Sequence, residues 1–241
     1  MNYLSVENLT KSFGDRIIFE NLTFGIDQGQ KVSIVAKNGS GKTTLLKCLL
    51  DQESIDSGRV VFRNGLRIAF MEQSDQFGGE NSIMEEVFSH DLPELKAIKK
   101  YNKALRDEDD KSIEESFQLI TELNAWDIEA KVDQIFSILK LTDPNKLVKN
   151  LSGGQKKRVA LAKVLIADSD FLILDEPTNH LDLDMIEWLE KYLSSSRSTI
   201  LMVTHDRYFL EVVCDTIIEL EDETIYKYKG NFSYFLEKKA E

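Results

Sequence analysis

The segment Gly39-Ser-Gly-Lys-Thr-Thr44 constrains the fold more than any other part of this chain. An apolar run at 31–36, typical of a buried strand, precedes it, and a run at 42–50 with the apolar spacing of a helix follows it. Glycines let the backbone turn tightly between the two, and the first turn of a helix leaves its N–H groups unpaired. The sequence therefore predicts a strand, a glycine-rich loop and a helix whose free N–H donors face an anion.

The same segment carries the residue types that a phosphate-binding loop requires. A helix N-terminus has a partial positive charge of roughly half an electron, and Lys42 adds a full charge. We expect Lys42 to bridge the β- and γ-phosphates of a nucleotide, Thr43 to hold Mg²⁺ and Thr44 to reach the α-phosphate. The other loop residues expected to contact the nucleotide are Asn38, Gly39, Ser40 and Gly41.

One position departs from the usual phosphate-loop pattern. Ala36 stands where that pattern has its first glycine. At positive φ an alanine would strain the loop by about 1 kcal/mol, whereas at negative φ it costs little. We predict a negative φ at Ala36 and intact ATP binding.

Paired carboxylates follow a second apolar run, at 171–174. Asp175 and Glu176 end this predicted strand and open the sequence Asp-Glu-Pro-Thr-Asn-His-Leu-Asp of residues 175–182. A carboxylate at a strand end can coordinate Mg²⁺, and its neighbour can orient or deprotonate an attacking water. The alternative is that the pair only caps the next helix.

A third motif, Leu151-Ser-Gly-Gly-Gln155, opens a basic helix. In this order the three motifs resemble the nucleotide-binding domain of ATP-binding cassette (ABC) proteins, and they extend over nearly the whole chain. The wording Glu-Pro-Thr-Asn-His-Leu-Asp at 176–182 resembles the ABC-F branch, soluble cassettes that act largely on ribosomes. With the segment 228–241, the chain resembles the N-terminal cassette of a longer twin-cassette protein of the Uup subfamily.

The resemblance implies roles for individual residues. Asp175 becomes the metal-binding carboxylate and Glu176 the general base. Gln73 would contact Mg²⁺ or the attacking water, and His205, in Val-Thr-His-Asp at 203–206, would touch the γ-phosphate.

Phe13, just before Gly14 in a predicted turn, is the candidate adenine-stacking residue. Stacking on an aromatic ring accepts any purine, so we expect loose base specificity. Arg16 is expected to flank the same nucleotide. The alternative is that Phe13 only packs against a small sheet.

The third motif implies a partner. By resemblance, residues of this motif would bind, in trans, the γ-phosphate of ATP held on a second cassette: Ser152, Gly153, Gly154 and Gln155. Because the chain has one copy of each motif, we expect a head-to-tail pair with a second cassette, in the same longer chain or in a homodimer.

The element pattern predicts an α/β fold with a mostly parallel sheet, an N-terminal antiparallel β layer and an inserted α-helical subdomain. The resemblance implies that this fold is a P-loop NTPase of RecA-like type. Residues 1–73 and 151–230 form the expected core and 74–150 the helical subdomain. A β-hairpin is expected at 60–71, around Asn64-Gly65. Residues 231–241 resemble the start of a helical linker to a second cassette, the alternative being a natural C-terminal helix.

Charge and cysteine usage limit the class of protein. The net charge of −12 argues against a general nucleic-acid coat protein. Cys48 and Cys214 have no metal-ligand or disulfide spacing, and no leader or membrane span is evident, so we expect a cytoplasmic protein without direct membrane insertion. The resemblance to ABC-F proteins implies an inserted helical arm within 74–150 that contacts ribosomal or transfer RNA. A basic stripe on a predicted helix could supply its phosphate contacts, or it could be a solvated face; it consists of Lys96, Lys99, Lys103 and Arg106.

The leading interpretation is an ATPase that converts ATP and water to ADP and phosphate, with ATP and Mg²⁺ as ligands and a role on ribosomes. Its alternative is the ATP-binding subunit of an ABC membrane transporter. A third interpretation is a binding module that changes shape with ATP but turns it over little, and Glu176 argues against this one.

Overall fold

A computed structural model describes residues 1–37, 39–71, 77, 79–89, 93–123 and 125–240. Its contacts divide the chain into two units, Met1–Gln73 with Ser169–Glu241, and Ser74–Asp168. The strands are β1 (Asn2–Phe13), β2 (Arg16–Asp27), β3 (Lys31–Ala36), β4 (Ser57–Phe62), β5 (Ile68–Met71), β6 (Phe171–Asp175), β7 (Thr199–Val203), β8 (Thr216–Glu221) and β9 (Thr224–Lys229). The helices are α1 (Lys42–Leu49), α2 (Ile83–Val87), α3 (Pro93–Arg106), α4 (Asp110–Glu122), α5 (Trp126–Ile138), α6 (Gly153–Ile166), α7 (Leu183–Ser195), α8 (Arg207–Val213) and α9 (Phe232–Ala240).

The first unit contains an antiparallel layer with the strand order β2-β1-β4. Its central strand alternates between the two faces, so that Leu4 and Val6 are buried. Phe19 and Leu22 of β2 join the same core, which continues onto α1 and the second sheet. The predicted N-terminal antiparallel layer is confirmed.

The second sheet of this unit has the strand order β5-β6-β7-β3-β8-β9. Strands β5 to β8 in this order are parallel to their neighbours, and only β9 runs antiparallel, to β8. Every residue of β6 and β7 is buried, as expected of parallel strands covered on both faces. The prediction of a mostly parallel P-loop NTPase sheet is confirmed.

The hairpin expected at 60–71 is wrong. The turn at Asn64-Gly65 is present, and Gly65 has a φ of 82°. The strands on its two sides, however, join different sheets: β4 pairs with β1, whereas β5 pairs in parallel with β6. Burial of Ala69 and Met71 on the parallel sheet outweighs the local preference of the turn for a hairpin.

The second unit is helical. Helices α3 and α4 pack against each other, and α6 packs against α2 and α5. These α6 contacts group residues 151–168 with the helical unit, whereas the sequence-based boundary assigns them to the core. Lys163 of α6 forms an ion pair with the buried Glu86 of α2, with 2.7 Å between Nζ and Oε1.

The four basic residues of the predicted stripe are exposed on α3, while Leu95 and Ile98 are buried. Leu105 is exposed, whereas the neighbouring Ala104 is buried. The reason is geometric, because a helix advances about 100° per residue and only one of these neighbours can face the core.

The chain ends in α9, whose Phe232 and Phe235 are buried in the first unit. The Phe235 ring packs edge-on against Tyr228 of β9, with 5.1 Å between ring centroids. Within the described ranges, no helix has both the length and the apolar character needed to cross a bilayer.

Candidate functional site

The glycine-rich loop connects the end of β3 to the start of α1. Ala36 is the last residue of β3, and its φ lies outside the positive range, as predicted. Gly41 precedes α1 with a φ of 95°, and a Cβ on this residue would overlap the Ile18 side chain. The loop therefore needs glycine at 41 and tolerates alanine at 36. Asn38 lies outside the described residues.

Lys42 turns its ammonium back into the loop. Its Nζ donates to the backbone carbonyls of Ala36 (2.9 Å) and Lys37 (3.1 Å). Burial lowers the pKa of Lys42, and the carboxylates of Glu176 and Asp175 oppose this shift. Nearby, the buried Ser40 hydroxyl has no hydrogen-bond partner within the part of the chain that the structure describes. The loop thus offers both a cation and an uncommitted hydroxyl to a ligand.

Thr43 and Asp175 form a direct hydrogen bond. The Thr43 hydroxyl donates to Asp175 Oδ2 at 3.1 Å. Asp175 is the last residue of β6 and is almost completely buried, so its position is set by the sheet. A hydroxyl and a carboxylate are oxygen ligands of the kind that Mg²⁺ binds.

Glu176 and His205 face each other beside this pair. His205 Nε2 lies 3.3 Å from Glu176 Oε1, and the His205 backbone N–H donates to Oε2 at 3.4 Å. Burial raises the pKa of the Glu176 carboxyl, although the His205 side chain and N–H act in the opposite direction. Such a carboxyl accepts a proton more readily than an exposed one.

The backbone of Glu176 is unusual. Its φ is 52°, in a region that costs a residue with a side chain of order 1–3 kcal/mol. The Glu176 N–H is fixed by a hydrogen bond to the carbonyl of Val203, at 2.8 Å. The surrounding sheet thus holds this carboxylate in a conformation that the isolated chain would avoid.

Phe13 and Arg16 lie at the turn between β1 and β2. The Phe13 side chain is about half exposed, at 49%. The Arg16 guanidinium donates to the carbonyl of Gly39 at 3.2 Å, which ties this turn to the loop.

These residues line one cleft of about 490 Å³ in the first unit. Ile18 and Val203 also line it, and the sequence did not point to either, since an apolar strand residue gives no sign that it faces a cleft. The cleft is lined by Phe13, Arg16, Ile18, Gly39, Gly41, Lys42, Thr43, Thr44, Asp175, Glu176, Val203 and His205.

The motif at 151–155 lies in the other unit, at the start of α6. Ser152 Oγ accepts a hydrogen bond from the Gln155 N–H (3.2 Å), and Gln155 Oε1 accepts one from the Ser152 N–H (3.0 Å). This reciprocal pair is a helix capping box, so both side chains have a structural role at the helix start. Gly153 and Gly154 form the first turn of α6. Gln73 lies outside the described residues.

The donor set of the cleft suits a metal-bound polyphosphate. It combines the Lys42 ammonium and the N-terminus of α1 with the oxygen pair of Thr43 and Asp175. Phosphate oxygens accept from the first two, and a divalent cation binds the oxygen pair.

Comparison with known proteins gives a consistent result. The sequence model of a protein family described as ABC transporter matches residues 19–179. The chain is 41% identical over its whole length to "Uncharacterized ABC transporter ATP-binding protein YfmR" of Bacillus subtilis, of which it covers 40%. It is 35% identical, over 98% of its length, to "Energy-dependent translational throttle protein EttA" of Mycobacterium tuberculosis, of which it covers 44%.

A further relative, "ABC transporter F family member 5" of Arabidopsis thaliana, is 33% identical over 99% of the chain, which covers 37% of that protein. The chain thus spans less than half the length of these curated relatives. Among solved structures, one titled "Structure of ATP binding subunit of ABC transporter" matches with a TM-score of 0.73 at 19% identity, covering 94% of this chain and 90% of that one. This structural likeness supports the fold.

Proposed function

Because the chain belongs to the ABC family of ATP-binding cassettes, with relatives in the F branch, we propose that its cleft binds ATP with Mg²⁺ and hydrolyses ATP to ADP and phosphate. The observation that carries this proposal is the meeting of two pairs beside Lys42: Thr43 with Asp175, and Glu176 with His205.

Different parts of the cleft would bind different parts of the nucleotide. The loop and Lys42 suit the β- and γ-phosphates, because they supply an ammonium and helix N–H groups. Phe13 suits the base, since its half-exposed ring lies at the same cleft. Thr43 and Asp175 would hold Mg²⁺, which neutralises phosphate charge when bound.

Hydrolysis needs a base and a group that stabilises charge. Glu176 would take a proton from water as the water oxygen attacks the γ-phosphorus and the bond to ADP breaks. Its raised pKa suits this role, because a buried carboxylate is a stronger base than an exposed one. His205, held at 3.3 Å, would orient Glu176 and contact the γ-phosphate.

The active form would be a pair of cassettes. The motif at 151–155 belongs to the helical unit, whereas Lys42 and Glu176 belong to the other unit. We propose that Ser152, Gly153, Gly154 and Gln155 contact the ATP of a second cassette, supplied head-to-tail by a longer chain or by a second copy. The relatives, more than twice as long as this chain, have room for a second domain.

Phosphate release tests the enzymatic proposal. We expect Mg²⁺-dependent turnover that falls about 100-fold or more in Glu176→Gln, because the amide cannot take a proton, while ATP affinity is retained. Glu187→Gln, at an exposed position on α7, is the matched control. Turnover that survives Glu176→Gln would show that another group is the base.

We also propose a role in translation. The support is the relative named as an energy-dependent translational throttle protein, which matches 98% of this chain. The exposed stripe of Lys96, Lys99, Lys103 and Arg106 on α3 could supply contacts to RNA phosphates. The free, buried Cys48 and Cys214 agree with a reducing, cytoplasmic location.

Sedimentation with ribosomes tests this role. Glu176→Gln in the full chain, with ATP, should co-sediment with ribosomes, and replacing the four stripe residues by glutamine should weaken this association. Replacing Lys131 and Lys140 of the same unit is the charge control. Co-purification with a membrane protein instead of ribosomes would favour the transporter alternative.

A further inference from the structure

The Phe13 ring has a cation packed against it. The Lys11 ammonium lies over the ring, with 4.5 Å between Nζ and the ring centroid. Lys11 is almost completely buried, at 4% exposure, and is not one of the residues that line the cleft. Phe13 does line the cleft and is half exposed. The ring therefore lies between a buried cation and an open cleft.

The ammonium is fixed by acceptors from one loop. Lys11 Nζ donates to Glu53 Oε1 at 2.9 Å and to Ser54 at 2.7 Å (carbonyl) and 3.5 Å (hydroxyl). A lysine ammonium has three N–H donors, so these acceptors account for all of them. The hydrogen bond to Glu53 raises the pKa of Lys11, and the side chain stays charged at neutral pH.

The neighbours of Lys11 are bound to the same loop. Asp56 N–H donates to the carbonyl of Thr10 at 2.9 Å. The backbone N–H and hydroxyl of Ser12 both donate to Asp56 Oδ2, at 2.6 and 2.5 Å. Each of the three residues before Phe13 is thus held by residues 53–56, the segment that follows α1. The position of the ring is thereby coupled to the helix that begins with Lys42 and Thr43.

We propose that Lys11 is a positioning residue for the nucleobase: its ammonium holds one face of the Phe13 ring and leaves the other face to a stacked purine. A cation is attracted to the electron-rich face of an aromatic ring, which limits ring rotation. A ring ordered in advance loses less conformational entropy when a base stacks on it. The inference rests on the proposed function, because it requires a nucleotide whose phosphates lie at Lys42.

The test compares two ligands that share phosphates but differ in the base. ATP and tripolyphosphate, each with Mg²⁺, are titrated calorimetrically into the full chain and into Lys11→Met. We expect Lys11→Met to weaken ATP binding about three- to tenfold, which is part of the affinity that base stacking on an aromatic ring contributes. Tripolyphosphate binding should change less than about twofold. Lys11→Arg keeps the cation and should retain most of the ATP affinity.

Lys31→Met is the matched control. Lys31 is also buried, and its Nζ donates to the carbonyls of Ser196 and Ser198, both at 2.7 Å. Lys31→Met should lower the stability of the chain without changing the ratio of its affinities for ATP and tripolyphosphate. In a Phe13→Ala background, Lys11→Met should have no further effect on ATP binding, because the ring that it positions is gone.

The outcomes separate this inference from the proposed function. If the unmodified chain binds neither ATP nor tripolyphosphate, both the proposed function and the positioning role of Lys11 are overturned. If it binds ATP more tightly than tripolyphosphate and Lys11→Met weakens both ligands equally or neither, only the positioning role is overturned. Should Lys11→Met not fold, Glu53→Ala replaces it, since it removes the carboxylate that holds the ammonium; an unchanged affinity ratio then overturns the inference.

Discussion

Thr43 donates its hydroxyl hydrogen to Asp175 across a separation of 132 residues, at 3.1 Å. Thr43 is the second residue of α1 and Asp175 is the last residue of β6, so the bond exists only because strands β3 and β6 lie in one parallel sheet. Both strands end at the same edge of that sheet, where ligands of open α/β sheets bind. The pair is the basis of the first prediction.

Asp175→Asn should preserve the hydrogen bond from Thr43 but remove the charge that a divalent cation needs. We expect ATP turnover to fall about 100-fold or more and partial recovery at high Mg²⁺ or with Mn²⁺. Phosphate release against metal concentration measures this. The exposed Asp184→Asn on α7 is the control. An unchanged metal dependence would remove Asp175 from the metal site.

Glu176→Gln should make the chain more stable at neutral and higher pH. Burial raises the pKa of Glu176 above its ordinary value of 4.5, so the folded state holds its proton at a pH where the unfolded state releases it. The stability of the unmodified chain therefore falls as pH rises from about 4.5 through the raised pKa.

The difference in stability between Glu176→Gln and the unmodified chain should be largest at pH values above the raised pKa of Glu176. It should shrink at lower pH. We expect the Tm of Glu176→Gln to be higher by about 2–4 °C at pH 8, which is about 1 kcal/mol for a chain of this size. Thermal unfolding between pH 5.5 and 8 measures it, and Glu187→Gln corrects for the loss of one negative charge. A difference that grows as pH falls would contradict the assigned shift.

Gly41→Ala should both destabilise the chain and abolish nucleotide binding. Gly41 has a φ of 95°, and an added Cβ would overlap the Ile18 side chain. We expect a loss of about 2–3 kcal/mol from strain and overpacking together.

Gly29→Ala is the control for Gly41→Ala, since Gly29 has a φ of 80° but open space around the new methyl group. It should cost only about 1 kcal/mol and leave ATP binding unchanged. Urea unfolding and ATP titration measure both effects. Equal losses of stability in the two variants would exclude the contact with Ile18 as a cause.

Lys163→Met should destabilise the helical unit. Lys163 lies 2.7 Å from the buried Glu86, and its removal takes away the ammonium that donates to Glu86 Oε1. We expect a loss of about 3 kcal/mol, partly restored in the double variant with Glu86→Gln. Urea unfolding measures the free energies, and a double variant no more stable than Lys163→Met would contradict the explanation.

Local sequence patterns were sufficient to predict the strands and helices and the order of the motifs. Residues 31–36 and 171–174 are apolar without alternation because both faces of their sheet are covered, and the structure places them in β3 and β6. The strand pairing of residues 60–71 could not be predicted from local patterns. Asn64-Gly65 encodes a turn, but whether β5 pairs with β4 or β6 depends on burial against strands distant in sequence.

By itself, the sequence determined which chemistry is available: a glycine-rich loop with Lys42, a carboxylate pair at 175–176 and an aromatic residue near the N-terminus. These are properties of residue type and short-range spacing. The tertiary structure alone decided that Glu176 takes a positive φ beside His205 and that a buried Lys11 lies over the Phe13 ring. Such relationships depend on which distant segments pack together, because burial and long-range hydrogen bonds, and not local preference, fix these side chains.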